Sequence, residues 1–300
     1  MSTTSNAIAA TTVTRRGLLP PGLALGALGV LGFSFSLPAT KLAVADLDPW
    51  FVAFGRAAVA GVLAVVVLRA GRAPRPTGAQ WRRLALVVAG VVVGFPLLTS
   101  LALRELPAAH AIVTIGLLPA ATAVAAVLRA GERPALPFWL AAGAGTAATI
   151  AFAASGGAQG LEPADVGLLL AVAVCGVGYA EGAVVARELG GARTICWALV
   201  LALPLTVPVA ALTAGPLHAS ATAWFGFAYV TLVSMFIAFF AWYAGLARGG
   251  VARIGQVQLA QPVLSLGWAA LVLGEAVSGL EAVTAAVVLG CVVATQRARA

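Results

Sequence analysis

Apolar residues fall in long runs separated by short polar breaks, and ten of these runs approach the ~20 residues a helix needs to cross a ~30 Å hydrocarbon layer. They are Leu18 to Thr40, Pro49 to Leu68, Leu84 to Leu103, Ala108 to Leu128, Leu136 to Ser155, Val166 to Ala186, Thr194 to Leu212, Ala223 to Leu246, Ile254 to Leu273 and Gly279 to Thr295. The longest break, Arg69 to Arg83, contains Pro74 and Pro76 and is too short for a soluble domain. The pattern predicts an all-α integral membrane protein with ten transmembrane helices.

Composition supports that reading. Hydrophobic residues make up 61% of the chain and charged residues 9%, against roughly a quarter charged in soluble proteins. Such a chain cannot cover an apolar core with a polar surface, so lipid must be its solvent over most of its area. The formal charge of +8 resides in arginines placed in ones and twos beside the apolar runs, apart from the five between Arg69 and Arg83. With the N-terminus inside, fifteen of the eighteen basic residues fall on the cytoplasmic side, and only Lys41 and Arg104 lie outside. This is the distribution of the positive-inside rule, not of a nucleic-acid-binding patch. It predicts a multi-pass protein of the cell membrane, by expectation a bacterial plasma membrane, with both termini cytoplasmic.

Residues 1–17 begin with a Ser/Thr/Ala-rich stretch, expected to be a disordered cytoplasmic tail. Arg15-Arg16, the following run and Ala43-Val44-Ala45 also outline a cleavable signal peptide. The run is long enough to span and more spans follow, which favours an uncleaved first helix. Cys175, Cys196 and Cys291 all lie inside apolar runs and predict neither a disulfide nor a metal site.

The chain carries one plan twice. Pro107 to Glu132 reads PAAHAIVTIGLLPAATAVAAVLRAGE, and Gly249 to Glu275 reads GGVARIGQVQLAQPVLSLGWAALVLGE. Pro119 aligns with Pro262, and Gly131-Glu132 with Gly274-Glu275, at an offset of 143 residues that also lays apolar run on apolar run elsewhere. The chain therefore divides into two five-helix repeats, residues 18–155 and 161–296. An odd number of spans per repeat sets the second upside down relative to the first, and such inverted repeats place a binding site near the midplane between the halves.

These proline helices with their Gly-Glu ends, the five-plus-five plan and Arg56 in PWFVAFGRAAVAG resemble the EamA branch of the drug/metabolite transporter superfamily. The resemblance covers nearly all of the chain after Thr14. It implies export of small metabolites or drugs by alternating access without an ATPase, and it fixes no cargo.

Several polar residues inside the spans are candidates for substrate or proton binding. Glu181 lies about six residues, ~9 Å, from the cytoplasmic end of the sixth span. A carboxylate there must be protonated, paired or facing water, and burial favours the protonated form, so it is read as a proton-coupling or cation-binding group, or else as a protonated carboxyl hydrogen-bonded to a helix neighbour. Arg56, roughly 10 Å below the outer surface, either binds an anionic group or ties helices together, and its depth argues against a pair with Glu181. Gln258, Gln261 and Ser265 form one polar helical face where the first repeat has Ile115, Leu118 and Thr122. That face either lines a cavity or hydrogen-bonds between helices.

His110 opens the fourth span and is of a residue type that changes charge near neutral pH, though an interfacial histidine is usually just solvated. Tyr179, Trp197, Trp242 and Tyr243 either line a pocket or pack in the bundle. Pro119 and Pro262 are candidate kink or gating positions. Glu132 and Glu275 are expected to close helices and meet loop arginines such as Arg129 and Arg133.

The leading expectation is a secondary active transporter, possible proton coupling included, with a small-molecule substrate and membrane lipid as partners and with no cofactor or metal. The alternative is a non-transporting membrane sensor or assembly partner, which the short loops disfavour because they offer little binding surface. No HExxH, paired intramembrane aspartates, Ser-His arrangement or Walker A loop occurs, so an enzyme is not expected.

Overall fold

The computed structural model describes residues 20–155, 163–215 and 218–274, with isolated positions from 279 to 291. All regular structure among the described residues is helical. Eight helices are long and apolar enough to cross a membrane: α1 (Pro21–Val44), α2 (Pro49–Ala70), α3 (Gly78–Glu105), α4 (Ala108–Ala130), α6 (Pro163–Leu189), α7 (Gly191–Thr213), α8 (Ala221–Gly249) and α9 (Val251–Leu273). A further helix of 20 residues, α5 (Leu136–Ser155), occupies the expected fifth span. Most of the expected tenth span, residues 1–17 and Glu275 lie outside the described residues.

Local sequence sets the helix ends. Asp48 caps α2 by accepting hydrogen bonds from the N–H groups of Trp50 at 2.8 Å and Phe51 at 3.2 Å, with Pro49 at the first helical position. Thr77 and Gln80 form a reciprocal capping box that starts α3 at Gly78, six residues before the expected Leu84. Arg82 and Arg83 therefore stand on a helix, not in a loop. Gly131 and Gly274 end their helices with φ of 68° and 69°, a left-handed conformation that costs glycine nothing.

The 143-residue register recurs in the backbone. α3 widens to π-type hydrogen bonding over Val88–Gly94, and α8 does so over Val230–Ile237. α4 breaks before Leu118 and α9 before Gln261, with proline next in each case. Contacts between the halves also occur as exchanging pairs: α3 packs on α6 as α8 packs on α1, and α4 on α6 as α9 on α1, while α2 pairs with α7.

Glycine makes these approaches close. Lipid supplies no hydrophobic force between helices, so association depends on small residues that let backbones touch. A Cβ on Gly245 of α8 would sit 2.7 Å from the Gly26 backbone nitrogen of α1. One on Gly90 of α3 would sit 2.1 Å from the Val174 carbonyl oxygen of α6. Trp242 and Tyr243 are fully buried in the resulting core.

Candidate functional site

The two broken helices meet near the centre of the bundle. Proline has no N–H to donate and its ring displaces the preceding turn, which interrupts each helix. At α4 the Pro119 carbonyl accepts a hydrogen bond of 3.4 Å from Gln256 Nε2 of α9. Ser265 Oγ donates to the Ser34 carbonyl of α1 at 2.5 Å. Between the breaks lies a small crevice of about 10 Å³ lined by Leu37, Ile115, Leu118, Pro119, Gln258, Gln261, Pro262 and Ser265. The polar face of α9 thus stands opposite its apolar counterpart on α4.

Next to the crevice, sharing Leu37, Leu118 and Gln261 with it, is a second cavity that draws on both halves of the chain. Arg56 of α2 lines it, with Ser36 of α1, Tyr179 of α6 and Ser234 of α8. Its space is about 30 Å³, enough for about two waters. Arg56 is 4% exposed, and its Nη2 donates to Ser234 Oγ over 3.4 Å. Ser234 Oγ also accepts from Ser36 Oγ at 2.7 Å. Among the described residues the Arg56 Nε is buried without a hydrogen-bond partner, as is the Oε1 of Gln258. Gln258 Nε2 donates to the Tyr179 hydroxyl at 3.3 Å, and the Tyr179 ring stacks at a tilt on Trp242 with centroids 5.3 Å apart.

Glu181 is elsewhere. Its carboxylate is fully buried and bridges two arginines, Arg83 Nη1 to Oε2 and Arg129 Nε to Oε1, each at 2.6 Å. The carboxylate is thus paired on both oxygens, by charged partners from α3 and α4. The expected absence of an Arg56–Glu181 pair agrees with these partners. An open pocket of about 320 Å³ lies over the triad, with Arg82 and Leu128 in its wall.

The same end is tied further. Glu132 accepts from Val251 N–H at 2.6 Å, Ala252 N–H at 2.8 Å and Arg187 Nη2 at 3.2 Å. It therefore caps α9, a correction to the expected contact with Arg129 or Arg133, because the close packing of α4 on α9 brings the first-turn N–H groups of Val251 and Ala252 within its reach. Gln80 and Glu188 are also hydrogen-bonded to each other.

His110 lies far along α4 from Arg129 and hydrogen-bonds Asp165 of α6 at 2.6 Å. It is paired, where a merely solvated side chain was expected. Of the sequence candidates, Arg56, Tyr179, Gln258, Gln261, Pro119 and Pro262 are brought together; Glu181 and His110 are not. Sequence reasoning missed Arg83 and Arg129, whose placement matched the positive-inside pattern, and Ser36 and Ser234, which are small hydroxyl residues in apolar helices and carry no signal.

The profile of the EamA-like transporter family matches twice, over residues 20–153 and 163–295. The chain belongs to the EamA-like transporter family. A Bacillus subtilis (strain 168) protein described as the uncharacterized transporter YdeK is 48% identical over 275 residues, 91% of this chain and 96% of its own length. A crystal structure at 21% identity superposes with a TM-score of 0.72 over 91% of this chain and 97% of its own, which shows a shared fold. As an EamA-like chain this is a multi-pass membrane protein of a transporter family, and the two family matches divide it into two copies of one unit.

Proposed function

We propose that this protein is a secondary active exporter of a small organic solute, working by alternating access about the central cavity. The observation that carries the reading is that cavity: it lies where the two family units meet and contains a buried arginine with hydrogen-bonding capacity left over. Two units of five helices each, residues 18–155 and 161–296, related by inversion across the membrane, would open the cavity first to one side and then to the other. The breaks at Pro119 and Pro262 are the places where α4 and α9 can bend during that exchange.

In this reading the arginine-rich end is cytoplasmic, and the Arg83–Glu181–Arg129 bridge together with the Glu132 cap holds that side shut. We place proton coupling at this latch, where Glu181 of α6 holds Arg83 of α3 and Arg129 of α4. Purified protein in liposomes, loaded with a mixed pool of small metabolites and given an imposed pH gradient, tests the function. Gradient-dependent loss of at least one solute relative to empty liposomes is expected. Identical solute profiles in the two preparations would favour the non-transporting alternative.

A further inference from the structure

We propose that the central cavity recognises a small organic anion, a carboxylate carried on an apolar or aromatic body, with Arg56 as the residue that binds the carboxylate. This rests on the transporter reading above and names its substrate class. Arg56 is the charged group in the wall, and among the described residues no acid lines the cavity. The described acids that might have neutralised it are engaged elsewhere: Glu181 by Arg83 and Arg129, Asp165 by His110, and Glu132 by the start of α9.

A buried guanidinium is costly without a counter-charge and hydrogen-bond acceptors. Arg56 has one long hydrogen bond among the described residues, to a serine oxygen that already accepts from Ser36, and its Nε has none. A guanidinium offers donors in a planar fork that a carboxylate fits with two parallel bonds, supplying charge and acceptors together. A cationic cargo would meet uncompensated repulsion in a low-dielectric site. The rest of the wall includes Phe33, Phe95, Tyr179 and Phe239. These rings suit an apolar or aromatic body. Space for about two waters marks the present state as closed around the site, so cargo binds when the halves part.

The test uses three probes of one shape and different charge, phenylacetate, phenylacetamide and 2-phenylethylamine, with the full-length protein in lipid nanodiscs. Binding is read by calorimetry, and flux of each probe by proteoliposome efflux. Phenylacetate should bind at least tenfold more tightly than the amide, with the amine weakest. Arg56→Gln should abolish that preference, and Arg56→Lys should keep its sign at lower affinity. If Arg56→Gln does not fold, the charge series on the wild-type protein and on Arg56→Lys decides. Equal or tighter binding of the amide or amine, binding of none of the three, or an unchanged preference in Arg56→Gln would each overturn the assignment. Flux of the amine without phenylacetate would leave a transporter and remove the anion site. A carboxylate preference in binding with no flux of any probe would leave the site and remove the transporter.

Discussion

Glu132 at the end of α4 holds the start of α9 through the Val251 N–H at 2.6 Å, joining residues 119 positions apart in sequence. A carboxylate that caps another helix satisfies two backbone donors in one place and complements the positive end of its dipole. It converts a helix terminus into a joint between the two halves.

Glu132→Gln keeps one acceptor oxygen and loses the charge, whereas Glu132→Ala loses both. Loss of the cap should cost about 1–2 kcal/mol in the alanine variant and less in the glutamine variant. Thermal unfolding of the detergent-solubilised proteins measures the order. Equal stability of wild type and Glu132→Ala would remove the joint.

Glu181→Gln leaves Arg83 and Arg129 facing each other without the charge between them. The guanidinium side chains are 39% and 47% exposed, so solvent screens the loss and the expected destabilisation is about 1–3 kcal/mol, below that of a fully buried pair. Arg83→Ala alone should cost less, since Arg129 still neutralises Glu181. If the latch also couples protons, Glu181→Gln retains solute exchange and loses uphill movement driven by a pH gradient. Full gradient-driven transport in that variant places coupling elsewhere, with His110 the next residue to examine.

At the opposite end from the latch, Asp46 accepts a hydrogen bond of 2.9 Å from the Ser220 N–H, and the Ser220 side chain and backbone hold its carboxyl below the ordinary value of 3.8. A depressed folded value means that the clasp contributes fully above the unfolded value and is lost as pH falls through the folded one. The difference in melting temperature between wild type and Asp46→Asn should therefore be constant above about pH 5 and shrink in acid below the ordinary aspartate range. A difference that grows on acidification would contradict the clasp.

Reporter fusions test the orientation. Insertions within the Arg69 to Arg83 break and after Arg299 should report cytoplasm, and one near Glu162 the exterior, because arginine density sets which side each break occupies. Opposite signals at two of the three sites would rule out the inverted arrangement.

The sequence by itself determined the membrane setting, the positions of the nine helices among the described residues to within about six residues, the duplication and the two broken helices. These are legible because hydrophobic run length, proline and glycine act locally, and a repeat preserves their spacing. The same 143-residue offset relates the π-type turns of α3 and α8 and the left-handed Gly131 and Gly274.

What only the tertiary structure decided is which polar groups meet. Glu181 reads along the chain as an isolated carboxylate, and nothing in the spacing of Arg83 or Arg129 distinguishes them from arginines that merely orient the protein. Ser234 and Ser36 look like ordinary small residues until α8 packs on α1 and sets them beside Arg56. Such pairings depend on helix rotation and on how closely glycine seams let backbones approach, and those are properties of the packed bundle that no single helix encodes.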